Sequence, residues 1–397
     1  MGRRKEALAD LESAANLEPT NAGVLGTLTN MYLAENRAQD AERIAKRALT
    51  FNKNDKNAYI AYGSVLANEG KFDEARQQFE GASKIDPKDV RPILLEAQTY
   101  MSQNSIALAA SLYDRAVQTD PQNVEALVGK ARLAAAQHNV KDAIATYEKI
   151  LSLQTDPNDK VAVIDQEAVV YANEKMDADA DGAYHRAISG YPNILSAHTA
   201  YGEYLAAKND KAGAEREFVT GAGPNHDQAD AIARLGQLYA SQNQIPKAID
   251  QFKRLTEIDG KDARSHLLLA AAYAANNQFD KAREEYKASY NLAHSPDALL
   301  GLGQADLRTR NYNECSQVYD ALDKGAPDLS RQNPTILYGL GQCYQGARQP
   351  DKAKAAYQKL LSYVPANSSA ANEVKALIAA IDRDAKQQKK APATTKK

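Results

Sequence analysis

The stretch from Tyr59 to Pro87, YIAYGSVLANEGKFDEARQQFEGASKIDP, carries two apolar faces separated by a polar turn. Tyr59, Tyr62, Gly63 and Leu66 stand at i, i+3, i+4 and i+7, the spacing of one face of an α-helix. Phe72, Ala75, Phe79 and Ala82 form a second such face. Between them, Asn68-Glu69-Gly70-Lys71 supplies turn residues, and Gly70 suits the left-handed position that ends a helix. Asp86-Pro87 stops the second helix, because proline donates no backbone hydrogen bond and restricts the residue before it. The pattern predicts a pair of helices joined by a tight turn.

That pattern recurs along the whole sequence. The small residue that opens the second face stands at Ala7, Ala41, Ala75, Ala109, Ala143, Ala180, Ala214, Ala248, Ala282, Cys315 and Ala353. Seven of the ten steps are 34 residues, and the others are 37, 33 and 38. A period of this length, sustained this often, marks a stacked repeat architecture. The first helix of each unit keeps its own small site, at Thr29, Gly63, Ala97, Ala131, Ala168, Gly202, Gly236, Ala270, Gly303 and Gly341. With the alanine of the second helix opposite it, this site lets two helix backbones approach closely. Tyr32, Tyr100, Tyr171, Tyr239, Tyr273 and Tyr344, three residues beyond the small site, fill the adjacent space. The 21 tyrosines, with no tryptophan, therefore read mainly as spacers in a stack.

Three places break the step. Residues 152–160 hold three extra residues around Asp156-Pro157, Gly221 to Pro224 disfavour helix continuation, and residues 323–333 form the longest interruption. Insertions between repeats are expected as loops on one edge of the array. The unit before the last interruption is the least regular, with Asp306 at a usual tyrosine site. Residues 1–21 read as a half-repeat with only its second helix, and 22–367 as ten complete units. Residues 368–385 read as a capping helix, with Ser368 or Ser369 as N-cap and Val374, Leu377, Ile378 and Ile381 as its apolar stripe. The lysine-rich stretch 386–397 reads as a disordered tail.

The order of bulky, glycine or alanine, tyrosine, alanine, aromatic, alanine and proline resembles the tetratricopeptide repeat family. In the best unit the match rests on Tyr59, Gly63, Gly70, Ala75, Phe79, Ala82 and Pro87. The resemblance implies an all-α, right-handed superhelical solenoid of antiparallel helix pairs, with the first helices lining a concave groove. The residue one step beyond each small site should then point into that groove. In order these are Asn30, Ser64, Gln98, Arg132, Val169, Glu203, Gln237, Ala271, Gln304 and Gln342. The eight polar ones are the candidate ligand contacts, since an amide offers a donor and an acceptor to an extended peptide backbone. Some family members hold chaperone C-terminal carboxylates through lysine, asparagine and arginine on three successive first helices. Here the matching sites include Gly23, Thr27, Ala61 and Leu95, and only Asn30 and Arg91 agree in character. No such chaperone carboxylate clamp is expected.

Composition narrows the partner classes. With 49 basic and 51 acidic residues in 397, the net charge of −2 gives no global attraction to nucleic acid. No apolar run is long enough for a membrane span. The opening MGRRKEALADLE lacks the apolar core of a secretory signal, yet it begins inside a repeat, so the compartment stays open between cytoplasmic and exported. There is no GxGxxG, P-loop, HExxH or GxSxG pattern, and no catalytic residue, metal or cofactor is assigned. The histidines fall in separate units, and His198 and His266 read as partly buried spacers at a bulky first-helix position. Cys315 and Cys343 occupy small-residue positions of adjacent units and read as buried thiols, while a redox pair would require neighbouring sulfurs. The expected function is a non-catalytic scaffold that binds peptides or partner proteins in its groove. The alternative is the repeat region of a larger exported or enzyme-linked assembly protein whose N-terminal part is missing.

Overall fold

The computed structural model describes residues 2–225 and 227–390, and among these every regular element is an α-helix. The protein divides after Ala197 into two compact units. In the first, α1 spans Gly2–Leu17, and α2 (Ala22–Ala34) pairs with α3 (Ala38–Phe51). Then α4 (Lys56–Asn68) pairs with α5 (Phe72–Ile85), and α6 (Arg91–Ser102) with α7 (Ile106–Thr119). The last two pairs are α8 (Val124–Ala136) with α9 (Val140–Leu153) and α10 (Pro157–Asn173) with α11 (Asp177–Gly190).

Helix α12 (Ser196–Ala207) opens the second unit's array and is followed by α13 (Lys211–Gly221). Next come the pairs α14 (Ala229–Ser241) with α15 (Ile245–Ile258) and α16 (Ala263–Ala275) with α17 (Phe279–Ala293). Helices α18 (Pro296–Arg308) and α19 (Tyr312–Gly325) pair, a short α20 (Pro327–Gln332) intervenes, and α21 (Thr335–Gly346) pairs with α22 (Pro350–Leu361). Helix α23 (Ser369–Lys390) packs on α22.

Each turn inside a pair is built in one way. Gly70 is left-handed with φ 75°, and the Lys71 N–H reaches back to the Leu66 carbonyl at 2.8 Å, satisfying a carbonyl that the helix end would leave bare. Other units place Asn36, Asn104, Asn209, Asn243 and Asn277 at the same left-handed position. Asparagine tolerates this backbone better than most residues. His138, Lys175, Arg310 and Arg348 hold it elsewhere.

Every residue that names the period from Ala41 to Ala353 is fully buried. The contact each small site makes room for is an aromatic ring. Helical phase alone sets Ala75 opposite Gly63, but a Cβ on Gly63 would lie 2.5 Å from the ring of Phe79, itself 1% exposed. Gly202 stands in the same relation to Phe218, Gly236 to Phe252, Gly303 to Tyr319 and Gly341 to Tyr357. The ring also touches the next unit's first helix, where Gly129 meets Tyr113, Gly301 meets Tyr286 and Gly339 meets Tyr319. One side chain thus packs within its own pair and against the following one.

Two of the three expected loops are partly helical. Asp156 accepts a hydrogen bond from the Asn158 N–H at 2.7 Å and starts α10 at Pro157, so the extra residues lengthen that helix to 17. Within residues 323–333, α19 continues to Gly325 and Pro327 opens the six-residue α20. Proline is well suited to a first helical position, where its missing N–H has no partner to lose. Around Gly221–Pro224 the backbone does turn, with Gly223 at φ 80°. Ser368 accepts from the Ala371 N–H at 3.1 Å, and of the expected stripe Val374 and Ile381 are buried while Leu377 and Ile378 are half-buried. Helix α23 runs to Lys390, five residues past the expected end of the capping helix at 385, because the Lys and Gln residues there favour helix. The rest of that tail lies outside the described residues, as does His226.

The buried-thiol reading of the cysteines is corrected. Cys315 on α19 and Cys343 on α21 form a disulfide, with Cα atoms 5.7 Å apart and both residues fully buried. The pairing follows from stacking, which puts small positions of adjacent pairs face to face.

Two outcomes test this packing. Gly63→Ala should lower stability by about 1 kcal/mol or more, net of alanine's helix preference, because the buried Phe79 ring has nowhere to move. Gly182→Ala, where an added Cβ meets nothing within 4 Å, should instead raise stability by up to about 1 kcal/mol. Denaturant midpoints of the two variants should move in opposite directions. Reductant should lower the thermal midpoint of the wild type and leave that of a Cys315→Ala/Cys343→Ala variant unmoved. Closure of a 28-residue loop corresponds to about 3–4 kcal/mol of conformational entropy.

Candidate peptide-binding groove

The first helices present one turn of polar side chains beside each small site, since the next residue round the helix points away from the buried face. Asn30, Gln98, Arg132, Glu203 and Gln304 are exposed there, and Ser64, Gln237 and Gln342 are half-buried. Val169 and Ala271, the apolar members of the ladder, are exposed as well. Several are already engaged. The Ser64 hydroxyl donates to its own helix at the Ile60 carbonyl, 2.9 Å away. Gln98 donates to Glu125 at 3.5 Å, and Glu203 pairs with Arg234 at 2.5 Å.

The structure brings only some candidates together. Within the first unit, Asn30 lines a cleft of about 260 Å³ with Asn57 and Arg91, where the Arg91 guanidinium donates to the Asn57 amide oxygen at 3.2 Å. Arg132 and Val169 share a cleft of about 270 Å³ with Tyr147. Within the second unit, Gln304 and Gln342 line one cavity of about 1000 Å³. None of these three cavities is lined by Ser64, Gln98, Glu203 or Gln237.

The large cavity is built from α16 to α21. Its floor is glycine and ring: Gly301 under Tyr286, and Gly339 against Tyr319. Its rim comes from helix ends and turns, with Asn277 and Phe279 from one pair, Arg308, Arg310 and Tyr312 from the next, and Tyr338 and Gln345 from α21. Tyr319 is 2% exposed, and among the described residues its hydroxyl has no hydrogen-bond partner. Burial, and to a lesser degree the Asp306 carboxylate, pushes that hydroxyl up to about 12, so it remains a neutral donor. Asp306 itself is held by Arg283 from α17, and burial raises its pKa against the pull of that arginine.

Taking the residue after each small site finds Gln304 and Gln342 but misses the rim. Arg308, Arg310 and Tyr312 lie in the helix end and turn, outside the first-helix ladder. One signal was present: an arginine at position 310 occupies the left-handed turn site that asparagine or glycine usually fills.

The histidines are also more than spacers. His198 and His266 each keep 15% of the side chain exposed, and each pairs with the glutamate 19 residues on, Glu217 at 2.7 Å and Glu285 at 2.6 Å. His266 has acceptors at both nitrogens, the second being the Gly260 carbonyl at 3.2 Å, an arrangement that only the doubly protonated ring satisfies fully. Burial works against the cation, but the Glu285 hydrogen bond, the Gly260 carbonyl and the charges of Glu285 and Asp262 together raise its pKa. Among the described residues no group of three or more His, Cys, Asp or Glu side chains is placed to hold a metal ion. No helix there is long and apolar enough to cross a membrane.

This geometry defines a helical-repeat protein with ligand-sized clefts between successive pairs. Tetratricopeptide repeat models match residues 1–65, 57–89, 94–160 and 336–367, and a TPR repeat model matches 236–277. The protein belongs to the tetratricopeptide repeat family. It is 24% identical over 323 residues to the Protein O-mannosyl-transferase TMTC3 of Homo sapiens, covering 80% of this sequence and 32% of that protein. It is 34% identical over 85 residues to the TPR repeat-containing thioredoxin TDX of Arabidopsis thaliana, covering 21% of this sequence and 22% of that one. The sequence therefore spans about a third or less of the length of these curated relatives. Among solved structures, yeast Tom70 is similar at a TM-score of 0.41 and 14% identity, over 98% of this protein and 93% of that one. The MamA protein is similar at 0.40 and 18%, over 43% and 92%.

The His266 pair sets a pH dependence. Because the folded pKa lies above the usual value of 6.5, its stabilisation is complete below pH 6.5 and is lost as pH rises through the folded pKa. The denaturation midpoint of the second unit should fall across that window, and His266→Gln should flatten this part of the profile.

Proposed function

We propose that this protein is a protein-interaction scaffold whose second unit takes an extended peptide segment of a partner. The observation that carries this reading is the cavity of about 1000 Å³ that Gln304, Gln342 and Tyr319 line together. Neither amide has a partner among the described residues, so both can bond to a peptide backbone as donor and acceptor. Glycine and ring form a floor of fixed shape, which limits the ordering cost of binding.

Alignment over most of this sequence with about a third of a protein named for mannosyl transfer favours a second reading. In it, these repeats are one region of a larger enzyme-linked assembly, and their grooves position partners for chemistry performed elsewhere. Mannosyl transfer by this protein on its own would overturn both readings.

A partner recovered by affinity purification supplies the test. Alanine at Gln304 or Gln342 should each weaken its binding by about 1 kcal/mol, roughly fivefold, with the helical circular dichroism unchanged. Alanine at Gln98, Arg132 and Gln237, none of which lines this cavity, should have smaller effects. Unchanged affinity in a folded Gln304→Ala/Gln342→Ala variant would remove the groove from the mechanism.

A further inference from the structure

The cavity of the second unit has a one-sided charge. Its lining includes Arg308 and Arg310 and no aspartate or glutamate. In a protein where acids outnumber bases 51 to 49, an acid-free wall of this size is a local property and not a reflection of composition. Both arginines are exposed, and among the described residues neither is in an ion pair. Arg308 rests over the Phe279 ring, 6.0 Å from its centroid, which steadies its stem while its guanidinium keeps its hydrogens for another acceptor. By contrast, two nearby carboxylates are committed: Asp306 is buried against Arg283, and Glu373 accepts from Tyr338 at 2.7 Å.

Deeper in the cavity the polar groups are also unspent. Tyr319 lines the cavity and is only 2% exposed, and its hydroxyl has no partner among the described residues. Tyr286 is 8% exposed and likewise offers an unpartnered hydroxyl. Their rings are seated on Gly301, Gly303 and Gly339. The cavity thus has two guanidinium groups at the rim, which can only donate, with amides and phenols that can donate or accept behind them. An acceptor that carries negative charge completes such a set, and a planar carboxylate matches the paired donors of a guanidinium.

Building on the peptide reading above, we infer that the segment bound in this cavity carries a carboxylate that Arg308 and Arg310 engage, with the phenol and amide groups bonding the adjoining peptide. The carboxylate comes from an acidic residue of the partner or from its free C-terminus. This site is separate from the chaperone clamp excluded on sequence, since neither arginine lies in the first three units.

The test uses the full-length protein and arrays of short synthetic peptides in matched sets. One set carries Glu or Asp with an amidated C-terminus, a second carries Gln or Asn in their place, and a third is neutral with a free C-terminus. Binding should be enriched in the first or the third set, which tells the two carboxylate sources apart. For the best binder, Arg308→Gln/Arg310→Gln should weaken affinity by on the order of tenfold or more, whereas Lys261→Gln, at a position remote from the cavity, should not. Added salt should weaken wild-type binding and have less effect on the double variant. Circular dichroism of each variant checks that the helices persist. Equal binding of all three sets, or a carboxylate preference that the double variant keeps, overturns the carboxylate inference and leaves the peptide groove standing. Absence of any peptide binding overturns both.

Discussion

Stacking in this protein depends on a ring that needs a neighbour with little or no side chain. Phe79, Phe218, Phe252, Tyr319 and Tyr357 each lie against a glycine of their own pair, at a distance that no added Cβ would tolerate without movement. Rings of this kind also reach the next first helix, as Tyr319 does at Gly339, so the geometry inside a pair and the geometry between pairs are set by one contact. Close packing makes such a contact intolerant of volume change, since a buried ring has no void to move into. The small residues of the second helices from Ala41 to Ala353, all fully buried, complete the arrangement by letting the helices approach.

This division of labour leaves the outward residues of the first helices free of packing duties. They vary from Asn30 to Gln342, and where several face one cleft they can be tuned without disturbing the stack. Several of them are nonetheless occupied by local partners, as Glu203 is by Arg234 and the Ser64 hydroxyl by its own helix. Exposure on the expected face is therefore not the same as availability. The second unit's cavity differs because, among the described residues, Gln304, Gln342, the Tyr286 and Tyr319 hydroxyls, Arg308 and Arg310 have no such polar partners, although the Gln345 amide on its rim is held by Tyr357.

The irregular part of the repeat and this cavity coincide. Asp306 replaces a tyrosine, α20 is inserted, and Cys315 and Cys343 join α19 to α21 beside the cavity wall. The disulfide ties together two pairs whose connection is longer than the usual step, and so holds the wall that carries Tyr319 on one side and Gln342 on the other. Asp306 closes the site in another way: its pairing with Arg283 keeps a carboxylate from competing for the rim arginines.

The helical pairs, their period and the left-handed turn at Gly70 are all legible in the residues alone, because each arises from spacing within a few turns of backbone. Gln304 and Gln342 are legible in the same way, since they follow from phase on a helix. Three-dimensional packing was needed to show that these two amides share a cavity while Ser64, Gln98, Glu203 and Gln237 do not line it, and that Arg308 and Arg310 stand at its rim. Packing likewise turned two buried thiols into a disulfide and two expected loops into partly helical segments. The reason is physical: periodicity records which face of a helix is buried, whereas a cavity and a cross-link depend on distances between residues far apart in sequence. Those distances are set by how the rings seat each pair on the next.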